Sequence, residues 1–235
     1  ALSVQPGDTE LHEDAQPDAN ALVSVCDILV VIDTETELIR LVHETAQDYL
    51  KKIRSKKFPL GHSIISTACL AYLSLGEFSD LCRVQIKVEA RLKQYPFYRY
   101  AAEYWPLHVI LGDLESRLQD SIVAFLESRQ RYSADEVIAP QLPSAWGAEK
   151  GDPWTDWNRL SIQRRDSPLH AATTYGLRKT VNFLLKEKGY KMDQLNSFGE
   201  TALHRAAQVG QTKIMEELIV FGADVNAKVK QHYLG

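Results

Sequence analysis

The chain has 235 residues, 45% of them hydrophobic and 25% charged, with a formal net charge of -4, which are the proportions of a globular protein long enough for two domains. That balance excludes a broad attraction to nucleic acid or to an anionic membrane, although a local patch can still act, and no stretch of about 18 apolar residues is present to span a bilayer. The start carries Asp8, Glu10, Glu13 and Asp14 and no lysine or arginine, the opposite of a secretory signal. Three cysteines, Cys26, Cys69 and Cys82, are odd in number and form no CxxC pair; a reduced interior is expected, cytoplasmic or nuclear. Arg83 beside Cys82 is the one hint of a reactive thiol.

In chain order, residues 1–19 are acidic, contain Pro6, Gly7 and Pro17, and show no period; they predict a disordered tether. From Asn20 a helical pattern of Leu22, Val25 and Cys26 leads to Ile28-Leu29-Val30-Val31-Ile32, a polar stretch over 33–37, and Leu38-Ile39-Arg40-Leu41-Val42. Two β-rich runs around a polar turn predict a hairpin. Thr45-Ala46-Gln47-Asp48 then has capping-box form, and Ala46, Tyr49, Leu50 and Ile53 line one face of a helix. Helix, hairpin and helix together predict a winged-helix unit.

Four further apolar faces follow: Ile65, Ala68, Cys69, Tyr72 and Leu73; Leu81, Val84, Val88 and Leu92; Phe97, Tyr100, Ala101, Tyr104 and Trp105; and Leu111, Leu114, Leu118, Ile122 and Phe125. They predict a helical bundle completing a domain over 20–130. Pro106 is expected to kink or divide the third helix. Residues 131–160 turn irregular, with Pro140, Pro143, Gly147, Gly151 and Pro153, and predict a linker whose Trp146, Trp154 and Trp157 pack on a neighbour.

In the last part of the chain one phrase is written twice. Ser167-Pro168-Leu169-His170-Ala171-Ala172 returns, 34 positions on, as Thr201-Ala202-Leu203-His204-Arg205-Ala206-Ala207, and self-similarity at a fixed period means stacked repeats. Ser167 and Thr201 are helix-capping types, and Pro168 suits a first helical position. The alanines permit close helix packing. Gly176 and Gly210 end the first helix, and a second carries Val181, Leu184 and Leu185, or Ile214, Leu218 and Ile219, closing at Gly189 or Gly222. His170 and His204 recur with the repeat and have no second ligand at useful spacing, so a framework role bonding the neighbouring turn is expected rather than a metal or catalytic one.

The second copy, continuing through Gly210, Ile214 and Gly222-Ala223-Asp224-Val225-Asn226-Ala227, closely resembles an ankyrin repeat. The first is looser: Ile162 and Arg165 stand where the second has Asn196 and Gly199, and Thr180 stands at the position of Ile214. It reads as a capping repeat. The overall expectation is a mainly α chain: a winged-helix unit with one β-hairpin, a helical bundle, then a short ankyrin-repeat solenoid of two repeats over 161–235. Ala1 is not an initiator methionine and the chain stops where a further repeat would begin, so a piece of a longer protein is expected. From the ankyrin resemblance, contacts with a partner are implied at hairpin tips and inner helices, here Ser197, Phe198, Glu200, Gln208 and Val209, with Thr174 and Tyr175 from the first repeat.

A second resemblance covers roughly 20–110. It is carried by Val25-Cys26-Asp27-Ile28-Leu29-Val30-Val31-Ile32-Asp33, by Ile39-Arg40-Leu41-Val42-His43-Glu44-Thr45-Ala46-Gln47-Asp48-Tyr49-Leu50, by Cys69-Leu70-Ala71-Tyr72-Leu73-Ser74 and by Tyr95-Pro96-Phe97-Tyr98-Arg99-Tyr100-Ala101-Ala102-Glu103-Tyr104-Trp105. These runs are similar to the segment after the nucleotide-binding module of fungal NACHT-type STAND proteins, where a winged-helix domain of the type named after GPI inositol-deacylase is followed by helices and ankyrin repeats. The resemblance implies an NLR-like signalling protein whose nucleotide-binding module lies upstream of Ala1.

No catalytic, cofactor-binding or metal residue is expected. A P-loop needs a Gly-Lys pair, and none occurs. Gly61-His62-Ser63-Ile64-Ile65 departs from the nucleophile elbow at its last position; Ser63 is expected as a helix cap. His43-Glu44-Thr45-Ala46-Gln47 offers glutamine where a zinc site needs its second histidine, leaving His43 as a junction residue. Lys51-Lys52-Ile53-Arg54-Ser55-Lys56-Lys57 is the one strong basic run, expected as a solvated face suiting the helix dipole. The function expected is a non-catalytic protein-protein interaction scaffold, with no membrane partner. The alternative is a winged-helix nucleic-acid-binding module using the hairpin and the 51–57 run.

Overall fold

The computed structural model describes residues 4–5, 7–11, 24–26, 29–33, 38–80, 85–128, 130–132, 134 and 166–229. They form a mostly helical chain with one two-stranded antiparallel hairpin. Strand β1 (Val30–Asp33) pairs with β2 (Leu38–Leu41) in the register Val31 to Arg40 and Ile32 to Ile39, and Arg40 reaches Asp33 at 3.1 Å. Helix α1 (Glu44–Lys57) follows. Its start lies earlier than the expected capping box at Thr45. His43 is the N-cap, its Nδ1 accepting the Thr45 N–H at 3.1 Å, so the junction histidine itself supplies the acceptor that the first turn requires.

Helix α1 packs on β2 but buries none of its residues; Tyr49 remains 62% exposed. Among the described residues, then, hairpin and helix enclose no core of their own, and this part is a hairpin followed by a projecting helix. The first residues behave differently from a free tether. Val4 is buried, the Thr9 carbonyl accepts the Gly76 N–H at 2.9 Å, and the Leu11 N–H donates to Glu77 Oε1 at 3.0 Å. An apolar anchor and two backbone bonds hold residues 4–5 and 7–11 against the bundle.

The bundle is built from α2 (Gly61–Leu73), a 3-10 turn (Gly76–Phe78), α3 (Gln85–Gln94), α4 (Pro96–Leu111) and α5 (Gln119–Glu127). Helix α2 lies along α4, and Phe78, Tyr98, Trp105 and Phe125 fill the space between helices. Their rings meet edge-on or tilted, as the ring quadrupole favours: Phe78 to Tyr98 at 4.3 Å, Trp105 to Phe125 at 5.5 Å.

Three expectations are corrected here. Ser63 is not a cap but sits inside the first turn of α2, whose N-cap is Leu60. Pro106 does not divide its helix: α4 runs through it to Leu111, with the ring buried in the core, where packing outweighs the lost N–H bond. The face counted from Leu111 to Phe125 is broken, because α4 stops at Gly112 and Asp113 turns left-handed at φ +50. The Leu114 N–H then closes on Val109 O at 2.9 Å, a Schellman stop with aspartate where glycine is usual. Cys69 is buried and its thiol is pushed up to about 12 by burial, which leaves it inert. Cys82 and the three linker tryptophans lie outside the described residues.

Helices α6 (Pro168–Thr174), α7 (Arg178–Lys186), α8 (Ala202–Gln208) and α9 (Thr212–Val220) form two stacked pairs. Gly176 and Gly210 carry φ +76 and +72 at the turns between paired helices, and a Cβ on Gly176 would come within 2.8 Å of Gln211. Ala172 and Ala206 are fully buried at the helix contacts, whereas Ala207 faces solvent.

The first pair is docked on the bundle. Tyr175 meets Trp105 edge-on at 5.3 Å, and Tyr190 donates to Glu127 at 2.9 Å. The loop after α4 reaches across with two carboxylates. Asp113 takes Lys179 Nζ at 2.5 Å, while Glu115 accepts the Thr180 N–H at 2.9 Å and its hydroxyl at 3.1 Å. Glu115 therefore caps α7 from another part of the chain, satisfying a first-turn amide that has no acceptor within its own helix. Burial pushes its carboxyl up, outweighing the pull of Thr180 and Lys179. Glu115→Ala is expected to cost about 1–3 kcal/mol, because it strands two buried donors, whereas Glu115→Gln, which keeps a carbonyl acceptor, should lose less. Thermal unfolding of the two variants checks the order.

Candidate partner-binding surface

The turn before α8 is built around one side chain. Asn196 Oδ1 accepts the N–H groups of Phe198 and Glu200 at 2.9 and 3.0 Å, and its carbonyl takes the Gly199 N–H at 3.0 Å. Gly199, at φ +74, supplies the left-handed position the turn requires. The result is a closed tip with Ser197 and Phe198 at its apex, both half-buried.

Beneath the tip lies a buried polar network. Asn196 Nδ2 donates to Asp166 Oδ1 at 2.8 Å and to Glu200 Oε2 at 3.0 Å. Glu200 Oε1 accepts from Gln208 at 2.7 Å; Arg205 reaches Gln208 at 3.2 Å, Thr174 Oγ1 at 3.3 Å and Asp166 at 3.9 Å. Arg131, fully buried at the edge of the bundle, donates to the Asp166 carbonyl at 2.7 Å. Two carboxylates and two guanidiniums thus share one interior, the balance a buried charge cluster needs.

His170 belongs to the same frame. Its Nδ1 faces the Ser167 hydroxyl at 2.8 Å and its Nε2 faces the Glu200 carbonyl at 3.0 Å. The carbonyl can only accept, so Nε2 carries the proton and Nδ1 accepts from Ser167: a neutral imidazole with both nitrogens used. Ser167 is thereby spent on the ring and makes no cap bond, unlike Thr201, which forms a reciprocal box with His204. Burial holds the His170 pKa below its usual value, with Asp166 and the Glu200 carbonyl pulling the other way. In the unfolded chain the group binds a proton more readily, so its contribution to stability is present above pH about 6.5 and is lost as pH falls below that value toward the depressed folded pKa. Melting temperature is expected to drop between pH 7.5 and 5.5, and to drop less in His170→Gln.

Of the seven positions implied to meet a partner, Ser197 and Phe198 form the tip, and Thr174, Gln208 and Val209 lie half-buried at the ends of the inner helices. Glu200 is 1% exposed, its carboxylate spent on Asn196 and Gln208; it holds the tip in place. Tyr175 leans on Trp105 of the bundle. Asp166, Asn196, Arg205 and Arg131 complete the frame, none of them among the positions implied to meet a partner. Asn196 was discoverable, since Asn-x-x-Gly is a turn signature, and Arg205 interrupts an alanine pair. Asp166 and Arg131 carry no local signal.

Comparison with known proteins agrees with this geometry. Residues 148–229 match the family model described as Ankyrin repeats (3 copies); of that span, 148–165 lie outside the described residues. The C-terminal region is therefore an ankyrin-repeat region, a non-enzymatic fold that serves protein-protein interaction.

Over 231 residues the chain is 26% identical to "Azaphilone pigments biosynthesis cluster protein L" of Monascus ruber, covering 88% of this chain and 46% of that protein. Shorter stretches are 39% identical over 62 residues to "Probable E3 ubiquitin-protein ligase XBOS32" of Oryza sativa subsp. japonica, and 41% identical over 71 residues to "Inactive serine/threonine-protein kinase TEX14" of Bos taurus, covering 12% and 5% of those proteins. The chain spans less than half the length of each of these curated relatives. No solved structure matches it significantly.

Proposed function

We propose that the chain is a non-catalytic interaction scaffold in which the ankyrin tip at Ser197 and Phe198, with Thr174, Gln208 and Val209 beside it, holds a protein partner. The observation that carries this reading is the Asn196 turn. A buried polar frame fixes the tip from below, so an aromatic side chain is held at the apex with little ordering entropy left to lose on binding. The wider setting is a STAND or NACHT-type signalling receptor, in which the hairpin, helix α1 and the bundle link an upstream nucleotide-binding module to the repeats. The relative from Monascus ruber, aligned along most of this chain yet about twice as long, is compatible with such an arrangement. A cytoplasmic location, with entry to the nucleus open to it, fits the reduced-thiol reading of the cysteines.

Phe198→Ala is expected to weaken partner binding by about 2 kcal/mol or more, roughly 30-fold, with the melting temperature nearly unchanged. Titration calorimetry with the captured partner, beside a thermal melt, separates the outcomes. Loss of stability with affinity intact would assign Phe198 to the repeat core and redirect attention to Gln208 and Val209.

A further inference from the structure

The corner between α1 and α2 combines two features that a solvated surface does not need together. Helix α1 ends at Phe58, whose N–H closes on Arg54 O at 2.8 Å, and α2 is entered through Leu60, with the Ile64 N–H bonded to Leu60 O at 2.9 Å. Phe58, Leu60 and Ile64 stand 60%, 59% and 60% exposed. Leu60 and Ile64 lie one helical turn apart and share a side.

Directly before this apolar corner come Lys51, Lys52, Arg54, Lys56 and Lys57, all exposed. Lys51 is paired with Asp48 at 3.7 Å; Lys52, Arg54, Lys56 and Lys57 have no ion-pair partner among the described residues. The acidic residues of α1, Glu44 and Asp48, lie toward its other end. The helix C-terminus accounts for one or two of these cations; it does not account for three large apolar side chains left in water beside them.

We propose that this corner docks on an anionic lipid surface, Phe58, Leu60 and Ile64 entering the headgroup boundary while Lys52, Arg54, Lys56 and Lys57 meet the lipid charges. The chain lies on such a surface rather than crossing it, since no helix among the described residues is long and apolar enough to cross a membrane. The overall charge of -4 does not oppose this, because lipid attraction falls off within a Debye length and is set by the local patch. A nucleic acid would use the cations but leave the aliphatic side chains unaccounted for, since its backbone is read by charge. Lipid uses both.

The test is co-sedimentation of the full chain with vesicles of phosphatidylcholine alone and of phosphatidylcholine carrying about one-third phosphatidylserine. Binding is expected only with phosphatidylserine, weakening as salt is added. Lys56→Glu with Lys57→Glu should lower it at least tenfold. Phe58→Ser with Leu60→Ser, at exposed positions, should abolish retention at raised salt without moving the melting temperature. Absence of binding to phosphatidylserine vesicles at low salt overturns the proposal, as does equal binding by the charge-reversed protein. Two other results overturn it by naming another occupant: a dimer that Phe58→Ser with Leu60→Ser converts to monomer, in a chain that ignores vesicles, or duplex DNA binding unaffected by that apolar pair.

Discussion

Trp105→Ala is expected to destabilise the chain by about 3–5 kcal/mol, the range for removing a fully buried aromatic, and to loosen the repeats along with the bundle. Trp105 is 0% exposed and meets Phe125 of α5 on one side and Tyr175 of the first repeat on the other. Its removal opens a cavity at the joint between the two halves. The indole Nε1 has no hydrogen-bond partner among the described residues, so the side chain contributes through packing, and Trp105→Phe should recover part of the loss because it keeps a ring in the cavity and removes that orphan donor. A double-mutant cycle with Tyr175→Ala should return a coupling of about 0.5–1.5 kcal/mol, the scale of an aromatic pair. Coupling near zero, with each single loss intact, would mean that bundle and repeats fold side by side without supporting each other.

Residues 160–235 alone are expected to lose cooperative unfolding, while the full chain melts in a clear transition. The two helix pairs among the described residues bury too little apolar surface by themselves, and roughly three repeats are needed for stability. The bundle supplies what is missing. Glu115 caps α7, Asp113 holds Lys179, and Arg131 reaches the Asp166 carbonyl. Cutting the chain before the repeats removes all of these and exposes the Tyr175 face. Circular dichroism on heating and chemical denaturation decide it: a sharp, reversible transition in the short piece would show that the repeats need no cap from the bundle.

What could be read in the sequence follows from how local each signal is. The doubled phrase, the glycines that turn left-handed at 176 and 210, and the helical spacing of Leu184 and Leu218 depend on residues a few positions apart, and periodicity exposes them. Thr180 shows the limit. Against the repeat it is a defect, a polar residue at the position of Ile214; in the fold it is the donor to Glu115, 65 positions away, and no local pattern encodes that partner.

The same holds for Arg131 and Asp166, joined across 35 positions, which place the end of the bundle beside the network that carries the tip. In the other direction, pattern overreached where a period continued past a stop. Leu111 and Leu114 kept helical spacing with Ile122 through a Schellman turn at Asp113, and a capping-box form at Thr45 lost to a histidine two residues earlier. The helix-hairpin-helix order suggested an enclosed unit, but α1 buries nothing among the described residues, since order along a chain does not say that apolar faces meet.

The most direct test of the scaffold reading is site-specific photo-crosslinking in cells with the full chain carrying the reactive group at Ser197, set beside the same chain carrying it at exposed Lys93 in the bundle. The result expected is one dominant protein adduct from Ser197, lost when Phe198→Ala is added, and no matching adduct from Lys93. Adducts that form equally from both positions, or that persist in Phe198→Ala, would contradict a partner held at the ankyrin tip.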